Sequence, residues 1–99
     1  MLSDDHYIGR VALSRAGRDA GRAFLIVEHI DDNHVGLVDG MLRYLERPKK
    51  KKLKHLELTD VVAENIRAKL LEGKRVFDAE IRKYLLTSGF NHEKISEEE

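Results

Sequence analysis

Residues 14–22 connect two apolar, strand-like runs and contain two glycines four residues apart, Gly17 and Gly21. The first run spans residues 8–13 and the second spans residues 23–30. Glycine tolerates positive φ and close backbone approach, so this spacing is typical of a tight connection between two β-strands. We therefore expect Gly17 or Gly21 to adopt a positive φ. The second run is apolar at successive positions, which indicates a central strand buried on both faces.

Three arginines and one aspartate accompany these glycines. Arg15, Arg18 and Arg22 carry planar guanidinium groups, which suit phosphate oxygens and stack on bases. Asp19 lies between two of them, and we expect it to be structural, either orienting the arginines or capping the turn. A glycine turn lined with arginine is therefore a candidate contact for nucleic acid.

A second basic segment occupies residues 43–54, with seven basic residues and one acidic residue. Its basic members are Arg43, Arg47, Lys49, Lys50, Lys51, Lys52 and Lys54. Tyr44 and His55 flank the lysine run and offer rings for base stacking. One interpretation is a solvated loop, and the other is a finger that contacts phosphates. The flanking rings and the arginines of the first segment favour the second interpretation.

Turn signals divide residues 7–58 into about five short strands. A third strand is predicted at residues 35–38, and Asp39-Gly40 ends it with a strong hairpin signal. Residues 41–45 are expected to return as the fourth strand, which Pro48 ends or confines to an edge. Residues 49–52 then bridge to a fifth strand at residues 53–58. Because about 50 residues cannot fill two sheets, a small barrel is favoured over a sandwich.

Several of these residues resemble a KOW motif, a short signature of RNA-binding proteins. The matching residues are Gly9, Arg10, Val11, Ser14, Gly17, Gly21 and the apolar strand 23–27. The similarity extends through residues 35–40 and 53–56 and covers about half of the chain. Over that length the chain is most similar to the archaeal and eukaryotic large-subunit ribosomal protein family fourteen-e, in particular its small bacterial relatives. This resemblance implies an SH3-like barrel that binds structured RNA.

Beyond residue 58 the apolar period changes from that of a strand to that of a helix. Thr59 or Asp60 is expected to cap a first helix that ends at Gly73. Asp78 is expected to cap a second helix that ends at Gly89. The apolar stripes of the two helices are Val62, Ile66 and Leu70, then Phe77, Ile81 and Leu85.

These two short helices complete the predicted domain organisation. Each has roughly 10–13 residues, too few to be stable alone in water, so we expect residues 59–90 to pack as a pair on the barrel. Residues 1–6 are expected to fray, and residues 91–99 to form a disordered acidic tail. The predicted fold is thus mainly β, with an SH3-like barrel of about five strands over residues 7–58 and two C-terminal helices.

Composition argues against several classes of protein. The chain has no cysteine, and its five histidines are scattered without a third ligand for zinc. Carboxylate pairs and nucleophile motifs are lacking, so we predict no catalytic residue, metal or cofactor. No apolar run approaches the roughly 18 residues of a membrane span, and the first residues do not read as a signal peptide. A cytoplasmic monomer without a membrane partner is expected.

These features predict a non-catalytic module that binds structured RNA, most of all ribosomal RNA or an RNA on the ribosome. Recognition of shape is expected, because nothing resembles a base-reading code. Gly17, Gly21, Asp39 and Gly40 are assigned to structural turns. The alternative is an adaptor in a transcription or translation complex, which would bind a ribosomal or translation-factor protein. The net charge of zero favours the adaptor, whereas the lysine run favours RNA. A third hypothesis is an accessory domain of an RNA-processing complex.

Overall fold

Five β-strands and two α-helices form the part of the chain that the computed structural model describes, residues 4–91. The strands are β1 (Arg10–Ser14), β2 (Ala23–Asp31), β3 (His34–Val38), β4 (Lys49–Lys52) and β5 (Leu56–Val62). The helices are α1 (Glu64–Leu71) and α2 (Asp78–Thr87), and short 3-10 helices lie at Asp4–Tyr7 and Leu53–His55. The chain is therefore mainly β with two C-terminal helices, which confirms the predicted fold class.

The five strands form one antiparallel sheet in the order β4-β3-β2-β1-β5. Its edge strands, β4 and β5, are joined only by the 3-10 helix Leu53–His55. In a flat sheet, four strand spacings of about 4.8 Å would separate the two edges by about 19 Å. Three residues of 3-10 helix rise only about 6 Å. The sheet must therefore roll up, which gives the chain the form of a small SH3-like barrel.

Strand β2 lies at the centre of the sheet, as predicted, and buries side chains on both faces. Phe24 and Ile26 belong to one core cluster, whose other buried members are Ala12, Val35, Leu37 and Leu56. Leu25 belongs to a second cluster, whose other buried members are Val11, Ala23, Val38, Ala63, Ile66, Ile81 and Leu85. The second cluster joins the sheet to both helices, so α1 and α2 cover one of its faces.

The predicted fourth strand at residues 41–45 is wrong, because that segment forms turns. The carboxylate of Asp39 accepts hydrogen bonds from the backbone N–H groups of Met41 (2.9 Å) and Leu42 (2.8 Å). The N–H groups of Asp39 and Gly40 both donate to the carbonyl of Arg43, at 3.0 Å. These local bonds satisfy backbone groups that a strand would have offered to a neighbour.

The lysine run, predicted as a bridging loop, instead forms strand β4. It pairs with β3 in a register that runs from His34 opposite Lys52 to Leu37 opposite Lys49. Lysine has a low intrinsic preference for strands, but it is common on sheet edges, where its charge discourages pairing with another chain. Position at the edge of the sheet therefore outweighs local propensity here.

The boundary between strand and helix also differs from the prediction. Strand β5 starts at Leu56 rather than at residue 53 and continues to Val62, four residues beyond the predicted end at residue 58. Thr59 caps no helix; its hydroxyl donates to the Val11 carbonyl at 2.7 Å. Helix α1 begins only at Glu64. Pairing of β5 with β1 thus holds residues that the apolar spacing alone would place in a helix.

Helix α2 begins at Asp78, but Asp78 is not its cap. The N-cap is Phe77, which is exposed, while Ile81 and Leu85 of the predicted stripe are buried. The Asp78 carboxylate instead accepts the N–H of Leu45 at 2.7 Å, which ties the segment after β3 to the helix.

The predicted terminal segments lie partly or largely beyond the described residues. Residues 1–3 of the predicted frayed segment are outside them, and Asp4–Tyr7 forms a 3-10 helix. Of the predicted acidic tail, only Asn91 is described. Its buried side-chain amide accepts the N–H of Ala23 (2.9 Å) and donates to the Ala23 carbonyl (2.8 Å).

Candidate nucleic-acid interface

Residues 15–22, the glycine loop, leave and rejoin the sheet between β1 and β2. The N–H of Ser14 donates to the Arg22 carbonyl (3.0 Å), and the N–H of Gly21 donates to the Ser14 carbonyl (2.8 Å). Gly17 has φ of 84° and Gly21 has φ of 89°, so the predicted positive φ is present at both positions. The loop is therefore a defined turn that presents its arginines from a fixed backbone.

Replacing Gly21 with alanine should lower the free energy of unfolding by about 1–2 kcal/mol, because an L-residue resists this φ. No atom lies within 4 Å of the position of an added Cβ, so the backbone alone sets the cost. Urea denaturation would measure it. Ala20→Val is the matched control, since Ala20 is exposed and has no positive φ. Equal stabilities of the two variants would contradict this account of the loop.

Asp19 fastens the glycine loop to strand β4. Its carboxylate accepts the Ser14 hydroxyl at 2.8 Å, Lys49 Nζ at 3.1 Å and Lys51 Nζ at 3.2 Å. Lys51 Nζ also donates to the carbonyl of Ala16 at 3.1 Å, and Lys51 is only 9% exposed. Asp19 is structural, but it holds lysines of β4 rather than orienting the arginines beside it. The two basic segments predicted from the sequence therefore lie side by side.

Successive side chains of β4 point to opposite faces of the sheet, so its four lysines form two pairs. Lys49 and Lys51 point to Asp19, and their charges are partly neutralised by its carboxylate. Lys50 and Lys52 are exposed, and the structure shows no ion pair for either within residues 4–91. Only the second pair is therefore free to neutralise phosphates without first breaking an internal contact.

A concavity of about 480 Å³ lies between the glycine loop and β4, and we call it the lysine concavity. It is lined by Ala16, Gly17, His34, Lys50, Lys51, Lys52 and His55. His34 Nδ1 lies 2.8 Å from an Asp31 carboxylate oxygen, and this hydrogen bond, helped by the N–H of Asn33, lowers the pKa of Asp31. The concavity brings together residues from four segments, and its cations suit a phosphate backbone.

A second concavity, the arginine cleft, lies on the other side of the glycine loop and has a volume of about 510 Å³. It is lined by Arg18, Asp19, Arg22, Phe24, Leu42, Arg43 and Lys49. Arg22 Nε donates to the Asp39 carboxylate at 2.9 Å, and this contact fixes the position of the guanidinium group. Arg18 and Arg43 are exposed and form no ion pair among residues 4–91.

Asp39 organises the segment that forms one wall of this cleft. It is 1% exposed and accepts the N–H groups of Met41, Leu42 and Arg43 in addition to the Arg22 guanidinium. Burial alone would raise its pKa, but these hydrogen bonds outweigh burial and keep the pKa below the usual value. Gly40 follows with φ of 78°, and a Cβ there would collide with the carbonyl oxygen of Asp78.

The remaining predicted site residues lie at the margins of these two concavities. The N–H of Arg15 donates to the His55 carbonyl at 2.9 Å, next to the lysine concavity. Lys54 lines a separate depression of about 250 Å³ beside Lys52. Arg47 and Tyr44 lie on the segment between β3 and β4, outside the lining of both concavities. The Tyr44 hydroxyl donates to the Met41 carbonyl at 2.6 Å, and the residue is 47% exposed.

Sequence reasoning missed four residues that line this surface: Ala16 and His34 in the lysine concavity, and Phe24 and Leu42 in the arginine cleft. His34 joins the lysine concavity because it pairs with Lys52 across β3 and β4, and an assignment of the lysine run to a strand would have revealed it. Leu42 lines the arginine cleft although it was assigned to a strand. The signal that the sequence carries for it is its place between the Asp39-Gly40 turn and Arg43.

Stability should depend on pH through Asp19. Burial opposes ionisation of this carboxyl, but hydrogen bonds from Ser14, Lys49 and Lys51 lower its pKa from 3.8 to about 2. A lowered folded-state pKa means that the stabilisation is fully present above about pH 4 and is lost as the pH falls towards 2. At pH 7 we expect Asp19→Asn to cost on the order of 2 kcal/mol.

Urea denaturation of this variant and the wild type between pH 7 and pH 2 would test the expectation. The difference in unfolding free energy should shrink as the pH falls through 4. Asp60→Asn is the control, because Asp60 is exposed on β5. A difference that stayed constant down to pH 2 would exclude this role for the Asp19 carboxylate.

The described residues contain no group of three or more histidine, aspartate or glutamate side chains placed to hold a metal ion. Among the helices of residues 4–91, none is long and apolar enough to span a membrane.

The fold and this surface define a class of protein, the small SH3-like β-barrels with a basic loop surface. Comparison with models of known protein families gives no match. Over 55 residues, however, the chain is 51% identical to the large ribosomal subunit protein eL14 of Desulfurococcus amylolyticus. The aligned segment covers 54% of this chain and 55% of that relative, so the chain spans about half the length of this curated relative. This finding confirms the resemblance to the ribosomal protein family.

Proposed function

We propose that this chain is a non-catalytic RNA-binding module that associates with ribosomal RNA. The arrangement that carries the proposal is the contact of Asp19 with Lys49 and Lys51, which holds the glycine loop beside β4, the lysine strand. The identity with a large ribosomal subunit protein supports ribosomal RNA as the partner. On this proposal the protein acts as a monomer in the cytoplasm, where it meets ribosomes.

Phosphate neutralisation is the main source of affinity in this proposal. Seven basic residues around the two concavities are exposed and form no ion pair among residues 4–91. They are Arg15, Arg18, Arg43, Arg47, Lys50, Lys52 and Lys54. Each phosphate that they neutralise releases condensed counterions, which favours binding. Two of these residues lie on strand β4 and the other five on the segments that connect the strands, so we expect them to contact phosphates of folded RNA rather than to read its base sequence.

Ion pairs within the protein hold part of the basic surface in place before RNA binds. Lys49, Lys51 and Arg22 already have carboxylate partners in the protein, so they shape the surface and add less to phosphate binding. His55 lies in the lysine concavity and Tyr44 is exposed near the arginine cleft, and both rings are proposed to contact bases or riboses.

An adaptor for a protein partner is the second candidate function. Two observations favour it: the net charge of zero, and an exposed Phe77 that precedes α2 and lies under Arg75. In that case the barrel would bind a ribosomal or translation-factor protein. The basic surface would then orient the protein partner rather than supply most of the binding affinity.

Crosslinking followed by sequencing of bound RNA, in cells that express the chain, would test the proposal. Ribosomal RNA is expected to dominate the recovered sequences. A variant with Lys50 and Lys52 changed to glutamine should recover much less RNA, whereas a variant with Lys74 and Arg75 changed to glutamine, which has the same net charge, should not. Recovery of proteins but no RNA by the wild type would reject RNA binding in favour of the adaptor.

A further inference from the structure

The arginine cleft differs from the lysine concavity in having a large apolar side chain at its mouth. Leu42 is 67% exposed, the highest exposure among the large apolar residues of the described chain. The backbone N–H of Leu42 donates to the Asp39 carboxylate at 2.8 Å, which fixes the backbone from which this side chain extends. Phe24, which is buried, forms part of the cleft wall below it.

Two unpaired guanidinium groups accompany this leucine. Arg18 comes from the glycine loop and Arg43 from the segment after β3, and both are exposed. Arg22 and Lys49 also line the cleft, but Asp39 and Asp19 hold them. The cleft therefore presents two available cations from separate loops around an apolar surface, and guanidinium groups in that arrangement suit a phosphate.

A ligand that uses both features of this cleft would carry a phosphate for the guanidinium groups and a weakly polar group for Leu42. The volume of about 510 Å³ is within the range of about 300–1,000 Å³ that is usual for small-molecule sites. A base-paired nucleotide cannot fit, because its base is stacked inside a helix. An unpaired nucleotide in a bulge or loop can turn its base outward, and proteins commonly recognise RNA at such positions.

We propose that the arginine cleft binds one unpaired nucleotide of the RNA, with its phosphate between Arg18 and Arg43 and its base against Leu42. The inference rests on the proposed RNA binding and adds a preference that shape recognition by phosphates alone does not give. The lysine concavity would hold the backbone of the neighbouring helix, since its cations surround no exposed large apolar side chain.

Two RNA hairpins of about 12 base pairs, identical except for a single bulged adenosine, would serve as probes. The full chain should bind the bulged hairpin about 10-fold more tightly than the paired one at equal salt, since burying Leu42 against a base contributes about 1.4 kcal/mol. In Leu42→Ser this ratio should fall to about 1. Leu71→Ser is the matched control, because Leu71 is 44% exposed on α1, away from the cleft, and should keep the ratio.

A fluorescent adenine analogue at the bulge gives a second, direct measurement. Its emission should change when the wild type binds and should change much less with Leu42→Ser. Equal affinity of the wild type for both hairpins would overturn the nucleotide site and leave the proposed RNA binding intact. An equal loss of the ratio in both leucine variants would also overturn it. Failure of the wild type to bind either hairpin would overturn both proposals.

Discussion

RNA binding by this chain is expected to weaken about 250- to 4,000-fold when the salt concentration rises from about 50 to 200 mM. The range follows if five to seven of the exposed cations around the two concavities neutralise phosphates, which gives a slope of log K against log salt of about −4 to −6. The effect is large because phosphate neutralisation is the main source of binding affinity in this proposal. Measurement of affinity for large-subunit ribosomal RNA fragments over this salt range would determine the slope.

The lysine strand offers a sharper form of this prediction. Changing Lys50 and Lys52 to glutamine should reduce the magnitude of the slope by about 1.4–1.8, that is, by about 0.7–0.9 for each lost phosphate contact. The fold should be unaffected, because both side chains are exposed. The sequence predicts phosphate contacts for all four lysines, whereas in the structure Lys49 and Lys51 contact Asp19.

Lys74→Gln combined with Arg75→Gln is the matched control for net charge. These residues lie between the two helices, and Lys74 pairs with Glu72 at 3.1 Å. The control should leave the slope unchanged. If both double variants shifted the slope by the same amount, overall charge rather than the lysine concavity would govern binding. If neither shifted it, the lysine strand would be only a protected sheet edge, and the adaptor function would be favoured.

Patterns with strong local chemistry allowed much of the fold to be predicted. The glycine loop, the buried central strand and the third strand each combine a hydrophobic period with a turn signal, and the structure has them at the predicted places. The resemblance to a ribosomal protein family also rested on these segments, and the identity with eL14 confirms it.

The errors fall where tertiary contacts outweigh local preference. Strand β4 consists of four lysines, whose propensity indicates a loop, and only pairing with β3 makes it a strand. Residues 59–62 have helical apolar spacing, but pairing with β1 extends β5 through them. In both cases the ladder is a long-range feature that a window of neighbouring residues does not contain.

The composition of the basic surface was predictable, but its internal organisation was not. Sequence identified both clusters of cations without showing that Asp19 joins them, because Asp19 and Lys51 are 32 residues apart. The same limit hid the cleft formed by Arg18 and Arg43. Proximity of this kind depends on the roll of the sheet, which brings the two segments together.

Replacing Asp39 with alanine is expected to lower the free energy of unfolding by about 3–4 kcal/mol. The change would leave three backbone N–H groups and the Arg22 guanidinium without their acceptor. It would also release the segment that packs against α2 through Gly40 and Leu45. Since small domains are stable by only about 5–15 kcal/mol, the loss should be evident in urea denaturation at pH 7.

Two further variants separate the causes of this loss. Asp39→Asn keeps one acceptor oxygen but removes the charge that pairs with Arg22, so we expect an intermediate cost. Asp32→Ala is the control, because Asp32 is an exposed turn residue, and its effect should lie within about 0.5 kcal/mol of the wild type. Because the pKa of Asp39 is lowered in the folded state, its contribution is present above about pH 4 and declines at lower pH. An Asp39→Ala variant as stable as Asp32→Ala would show that the turn after β3 forms without this carboxylate, and the wall of the arginine cleft would then need another explanation.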